Sequence, residues 1–155
     1  MQIKMVNIDS IKPYPGNARI NDQAVDAVAA SLKEFGWQQP IVADTKGVII
    51  VGHTRHKAAK KLGMAKVPVH VAKDLTAAQV RAYRLADNKS GELAEWDMDK
   101  LAIEAAALAD SIDLSLFGFD LEAILAKGIP AGNKAIDETT LAETANECPS
   151  CGFKW

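Results

Sequence analysis

The sequence predicts an α/β (α+β) domain built on a small mixed sheet with flanking helices, followed by a helical extension and a loose tail. Three observations lead to that class. Val48 to Val51 is an unbroken apolar run closed by Gly52, the pattern of a short buried strand. His53 to Leu62 follows at once as a helical segment carrying the cations Arg55, Lys57, Lys60 and Lys61. Ile3 to Ile8 and Val67 to Val71 alternate as further strands do, set apart from the first by helical segments.

In chain order, each element has a local chemical reason. The first strand, IKMVNI, gives way at Asp9 and Ser10 to IKPYPGNARI, where Pro13, Pro15 and Gly16 dictate a loop that presents Asn17 and Arg19. Asn21 or Asp22 can cap a helix running to about Phe35, with Val25, Val28, Ala29 and Leu32 on one face and Gly36 as its stop. Trp37 to Pro40 leads into a short strand, Ile41 to Ala43, and Asp44 to Gly47 turns the chain hairpin-fashion into Val48 to Val51. After the basic helix comes the strand Val67 to Val71, in which His70 reads as half-buried. Asp74 or Thr76 then caps a helix from about Ala77 to Leu85. The polar segment ADNKSGELAEWD follows that helix, Met98 to Asp110 is alanine-rich and helical, and Asp120 to Gly128 forms a last short helix. These boundaries divide the chain into residues 1–97, a helical extension at 98–128 and a flexible tail at 129–155. The sequence contains no internal repeat and no convincing helix-turn-helix pattern.

The 155 residues suffice for one domain with a real core and a small appendage. A hydrophobic share of 48% and a charged share of 25% are ordinary for a globular protein. No apolar run approaches the ~20 residues of a membrane span, and MQIKMVNIDS lacks the apolar core of a signal peptide. A cytoplasmic location without a membrane partner is the expectation. The net charge of −2 hides an asymmetry, because residues 1–73 hold 11 Lys+Arg against 5 Asp+Glu, and residues 74–155 hold 7 against 15. The basic part suits a phosphate-bearing ligand, and the acidic C-terminal half offers a surface for a homodimer or a partner protein.

VIIVGHTRHKAAKKLG, residues 48–63, has the chemistry of an anion site. The first turn of a helix carries N–H groups without partners and a partial positive charge, and a glycine before it lets a ligand approach the backbone. His53, Thr54, Arg55 and His56 add polar side chains at that point, and Asn17 and Arg19 on the proline-rich loop suit phosphate or carboxylate recognition. Lys57, Lys60, Lys61 and Lys66 fit salt-dependent, sequence-tolerant contact with DNA phosphates, although Lys57, Lys60 and Lys61 equally fit an ordinary solvated face. Within DNKSGE, Asp87 or Glu92 could orient a nucleophile or bridge through Mg2+ to phosphates, and helix-terminal capping is the plainer role of the same cluster.

Cys148 and Cys151 in CPSCGFKW are half of a zinc ribbon by spacing. Two further ligands for Zn2+ would have to come from another chain or from His53, His56 or His70. A redox pair and an inert tail are the other readings.

The order of these motifs resembles the N-terminal domain of the ParB partition proteins, within the ParB/sulfiredoxin-like superfamily, over about Ile3 to Asp97. KPYPGNAR is similar to the first box of that family, SLKEFGWQQPIV to its helix and Gln-Pro passage, and VGHTRHKAAKKLG with VPV to its glycine-arginine nucleotide box. Gly52 and Arg55 fall on the first glycine and last arginine of that box, with His53 and Thr54 in place of the usual Glu and Arg. DNKSGE resembles the Glu-Asn-X-X-Arg box, with Asn88 on the asparagine, Asp87 on the glutamate and Gly91 where arginine is expected. LADNKSGELAEWD and GFDLEAIL look like ParB-like domains of phages and mobile elements, which often accompany DNA methyltransferases.

The resemblance implies a module that binds a nucleoside triphosphate, CTP or ATP with Mg2+, and acts in DNA partition, maintenance or regulation. Gly52, His53, Thr54, Arg55 and His56 would then form the phosphate wall, Asn17 and Arg19 a closing loop, and Asn88 with Lys89 the remaining wall. The alternatives are an enzyme on the same platform, whether nuclease, NTPase or small-molecule phosphoryl transferase with Asp87 and Glu92 as catalytic carboxylates, and a non-catalytic interaction protein. Sulfiredoxin activity is not expected. Sulfiredoxins carry a catalytic cysteine where this chain has His53, and imidazole cannot replace a thiolate in sulfinic-acid chemistry.

Overall fold

The structure, a computed structural model, describes residues 1–128. Four strands, β1 (Ile3–Asn7), β2 (Ile41–Ala43), β3 (Ile49–Val51) and β4 (Lys66–Val71), form one sheet in the order β1-β4-β2-β3. β4 runs antiparallel to β1, with Val67 opposite Val6, and parallel to β2, with His70 opposite Val42. β2 and β3 pair antiparallel across the Asp44–Gly47 turn. The sheet is mixed, as the sequence predicts. Pro68 is tolerated within β4 because β2 pairs only with Val69 to Val71, which leaves an open side for a residue that has no N–H.

Ile41, Ala43, Ile49, Val67 and Val69 are buried on the sheet, and Ile8, Ile11 and Ala59 complete their cluster. Helix α1 (Val25–Phe35) buries Ala29 and Leu32 against Ala58 of helix α2 (His53–Lys61). Trp37 packs on both clusters and donates its indole N–H to the Met64 sulfur at 3.3 Å. A fully buried aliphatic side chain contributes roughly 1.5–3 kcal/mol and an exposed ion pair about 0–1 kcal/mol, so this core, and not the lysine-rich surface of α2, holds the fold.

Helix α3 (Ala77–Glu92) starts at a Thr76–Gln79 capping box and does not stop at Leu85 as the sequence suggests. It runs seven residues further, through Asp87, Asn88, Lys89, Ser90 and Gly91 to Glu92. Local propensity disfavours this extension, since Asn, Ser and Gly are poor helix formers. A distant residue braces this end of the helix: Arg19 donates to the Asn88 carbonyl at 3.3 Å and pairs with Glu92 at 3.1 Å, placing a cation at the negative end of the helix dipole. The Asn88 side chain also donates back to the Arg84 carbonyl at 2.8 Å.

Helices α4 (Met98–Leu108) and α5 (Leu121–Gly128) pack together through Ala102, Ala105 and Ile124. Phe117 reaches Phe35 at the end of α1, with ring centroids 5.3 Å apart. No helix among the described residues is long and apolar enough to cross a membrane. Cys148 and Cys151, like the rest of the tail expected at 129–155, lie outside the described residues.

Candidate functional site

The site forms where β3 hands over to α2. Gly52 sits there at φ 101°, ψ 27°, a left-handed conformation that L side chains rarely adopt. A Cβ at this point would lie 3.2 Å from Ile41 Cγ1 and 3.5 Å from Arg55 Nη1, so packing also selects glycine. The first helical bond of α2 is His56 N–H to the Gly52 carbonyl at 2.9 Å. The N–H groups of His53, Thr54 and Arg55 precede it and have no acceptor within the helix.

The proline-rich loop is fastened over this junction at four points. Lys12 bridges to β3, donating its N–H to the Gly47 carbonyl at 2.8 Å and accepting from Ile49 at 2.9 Å. The Tyr14 N–H donates to His53 Nε2 at 3.2 Å. Arg19 Nη1 reaches the Asn88 carbonyl and, at 3.1 Å, Glu92 Oε1. The buried Asn21 donates to Thr54 Oγ1 at 2.9 Å and accepts from Lys57 Nζ at 2.9 Å, so it ties the loop to α2 and does not cap α1. Asn17 stays within its loop, donating to the Arg19 carbonyl at 3.0 Å.

Two adjoining clefts of about 520 Å³ each open beside this loop and share Asn17, Arg19 and Asn88. The first is walled by Gly52, His53, Thr54, Arg55 and Asp87, with Val28 from α1. The second lies along α3, walled by Tyr14, Arg81, Arg84, Lys89 and Glu92. Residues from three distant parts of the sequence, Asn17/Arg19, Gly52 to Arg55 and Asp87/Asn88, therefore face one another. His56 does not join them: it is 2% exposed, and its Nε2 lies 3.3 Å from the Ile8 carbonyl, a contact that closes the core.

The electrostatics divide the cations into free and engaged. Arg55 donates to the Pro40 carbonyl at 3.0 Å and to Gln39 Oε1 at 2.6 Å, which braces the passage before β2 while its guanidinium remains at the cleft wall. Burial lowers the Arg55 pKa and Asp87 partly offsets this; the guanidinium stays charged. Burial also lowers the His53 pKa, helped by Arg84, His56 and Lys57. Lys89 pairs with Glu92 at 3.1 Å. On the outer surface of α2, Lys57 pairs with Asp22 at 2.6 Å, Lys60 with Asp9 at 3.1 Å and Lys61 with Asp26, while Lys66 is exposed at the start of β4. Among the described residues, no three His, Cys, Asp or Glu side chains converge as a metal-binding group.

Two residues that shape the site are not among the site residues the sequence singles out. Arg84, 8% exposed, donates Nε–H to the Ile49 carbonyl at 3.2 Å and lies over the Tyr14 ring. Its one local signal is position: Val80, Arg84 and Asn88 recur every four residues on the inward face of α3, where an arginine is out of place. Tyr14 lies inside KPYPGNAR, but its role is not legible there, because its partner, His53, is far along the chain.

Comparison with known proteins fits this architecture. The ParB N-terminal domain family matches residues 1–89. The chain is 43% identical over 70 residues to the "ParB-like nuclease domain-containing protein YnaK" of Escherichia coli (strain K12), covering 44% of this chain and 80% of that relative. It is 36% identical over 92 residues to the probable chromosome-partitioning protein ParB of Campylobacter jejuni, covering 56% of this chain but 33% of the relative. The chain thus spans most of the first relative and about a third of the second. Its fold is similar to the crystal structure of C-terminally truncated ParB from Caulobacter crescentus complexed with CTP-gamma-S, with a TM-score of 0.60 and 22% identity, covering 80% of this chain and 69% of that one. With more than half of its length matched, the chain belongs to the ParB N-terminal domain family.

Proposed function

We propose that the protein is a ParB-type module that binds a nucleoside triphosphate at the Gly52 junction and acts in DNA transactions. The observation that carries this reading is the convergence of Gly52, the open N–H groups of α2, Arg55, the Asn17–Arg19 loop and Asn88 on one cleft. A cleft of about 520 Å³ is of the size that takes a small organic ligand. The Gly52 cradle, which a Cβ would fill, accepts phosphate oxygens against backbone; Arg55 and Arg19 neutralise them, and Thr54 and Asn88 orient them. The CTP-gamma-S in the Caulobacter structure supports a nucleoside triphosphate as the ligand class, with CTP first and ATP second. Magnesium enters only as the counter-ion of the nucleotide.

DNA association is proposed as phosphate contact without base readout, centred on α2 and Lys66. Lys57, Lys60 and Lys61 must exchange an aspartate for a phosphate to take part, which predicts weak binding that disappears as salt rises. A second reading, phosphodiester cleavage, is prompted by the nuclease domain in the name of the Escherichia coli relative. It would place Asp87 in the catalytic role, since Glu92 is held by Arg19 and Lys89.

Calorimetric titration of CTP and ATP, with and without Mg2+, tests the binding reading. Arg55→Ala is expected to weaken binding at least about tenfold, the equivalent of one charge-assisted hydrogen bond of ~1.5–3 kcal/mol. Undiminished binding by that variant, or no binding of either nucleotide, overturns the reading. Cleavage of labelled DNA that is lost in Asp87→Asn would establish the second.

A further inference from the structure

His53 occupies a position with two incompatible demands. It is the first residue of α2, at the proposed phosphate cradle, yet its Nε2 accepts the Tyr14 N–H at 3.2 Å. An imidazole nitrogen that accepts carries no proton, so His53 is neutral in this state with its proton on Nδ1. The groups around it enforce that state. Arg84 faces it from α3, and His56 and Lys57 from its own helix; Tyr14 contributes only its N–H from the loop. Arg19, Arg55 and Asp87 line the same cleft, where Asp87 acts on Arg55. β3, which leads into the site, offers only Ile49, Ile50 and Val51. Burial and the positive end of α2 oppose an imidazolium as well.

A phosphate-bearing ligand reverses that balance, because it brings several negative charges to the end of the helix where His53 stands. We propose that His53 is a positioning residue that latches the proline-rich loop as a neutral acceptor, and that a phosphate-bearing ligand exchanges this latch for a proton. His53 takes up one proton from solvent at Nε2, turns that nitrogen from acceptor to donor toward a phosphate oxygen, and can no longer receive the Tyr14 N–H. The Tyr14 N–H is released from His53, which removes one of the four fastenings of the loop. Arg84 still lies over the Tyr14 ring and Asn21 still holds Thr54, so the segment carrying Asn17 and Arg19 loosens toward the ligand between those two anchors. Lys12, still paired with β3, remains the fixed end of the movement. This inference rests on the phosphate-binding reading of the cleft and adds its coupling to protons.

The sign follows from linkage. When the bound form holds the proton more tightly than the free form, affinity rises as pH falls, by up to about tenfold per pH unit, until the free form is also protonated. The experiment is titration of the full chain with inorganic tripolyphosphate and with CTP between about pH 6 and pH 8, in two buffers of different ionisation enthalpy. Wild type is expected to take up on the order of one proton per ligand. His53→Gln, whose side-chain oxygen can still accept from Tyr14 but does not titrate, is expected to bind with that uptake removed. Ionisation of the ligand's own phosphates is common to both proteins and cancels in the difference. Equal uptake in the two proteins, or none in either, overturns the proton exchange and leaves the cleft as a phosphate site. Failure of both ligands to bind overturns the exchange and the cleft reading together. Imidazole NMR of wild type is the second measurement: the His53 titration midpoint must move up on saturation with tripolyphosphate, and an unchanged or lower midpoint refutes the exchange.

Discussion

Arg84 lies over the ring of Tyr14, its guanidinium carbon 3.9 Å from the ring centroid, and this pair joins α3 to the loop that carries Asn17 and Arg19. The same guanidinium donates to the Ile49 carbonyl of β3 and stands 3.9 Å from Asp44 in the β2–β3 turn. One buried cation thereby holds three elements of the site in register.

Arg84→Ala is expected to cost about 2–3 kcal/mol, from the loss of one charged hydrogen bond and one desolvated cation–π contact. Arg84→Lys recovers little, since an ammonium cannot stack on the ring and reach the carbonyl together. Urea denaturation midpoints of the three proteins check the order, and a lysine variant as stable as wild type contradicts it.

Gly52→Ala places a Cβ on a backbone at φ 101° and within 3.2 Å of Ile41 Cγ1. The left-handed conformation alone costs roughly 1–2 kcal/mol. The variant is expected to lose at least that much stability and, because the methyl group fills the cradle, its phosphate ligand as well. Thermal unfolding with and without tripolyphosphate separates the two losses.

Glu92 competes for the arginine that the cleft needs. Its carboxylate pairs with Arg19 and Lys89, both at 3.1 Å, and Lys89 first and Arg19 less strongly hold its pKa below the usual range. Glu92→Gln is expected to leave folding unchanged and to raise affinity for tripolyphosphate by roughly two- to fivefold, the scale of a solvent-exposed ion pair. Reduced affinity in a titration would show that Glu92 instead supports the site.

The two imidazoles predict an acid-labile fold. Burial pushes the pKa of both His53 and His56 below the ordinary imidazole value of about 6.5. The unfolded chain therefore binds more protons than the folded one as pH falls below about 6.5, and stability present above that value declines until the folded pKa values are passed. Urea midpoints at about pH 7.5 and pH 5.5 are expected to fall between the two. His56→Gln should be less stable at the higher pH but show a smaller further loss.

Much of this architecture was legible in the residues. Val48 to Val51, Gly52 and the basic helix after it are local features, set by apolar runs, backbone permissiveness and helix spacing, and the structure places them as those rules require. The same is true of the Asp44–Gly47 turn, whose Asp44 carboxylate accepts from Lys46 and Val48, both at 2.9 Å. The end of α3 was not legible, because Asn88, Ser90 and Gly91 argue locally for a stop and the arginine that braces this end, Arg19, comes from the far side of the cleft.

The adjacent imidazoles mark the same boundary. By itself the sequence determined the individual strands, the glycine-opened helix and the polar run His53 to His56, since each follows from the conformational preferences of neighbouring residues. Only the tertiary structure decided that His53 faces the cleft and latches Tyr14, that His56 turns inward to the Ile8 carbonyl, and that the α2 lysines sit on aspartates. Those choices depend on which donors and acceptors long-range packing brings within about 3 Å, a condition that local preference does not encode.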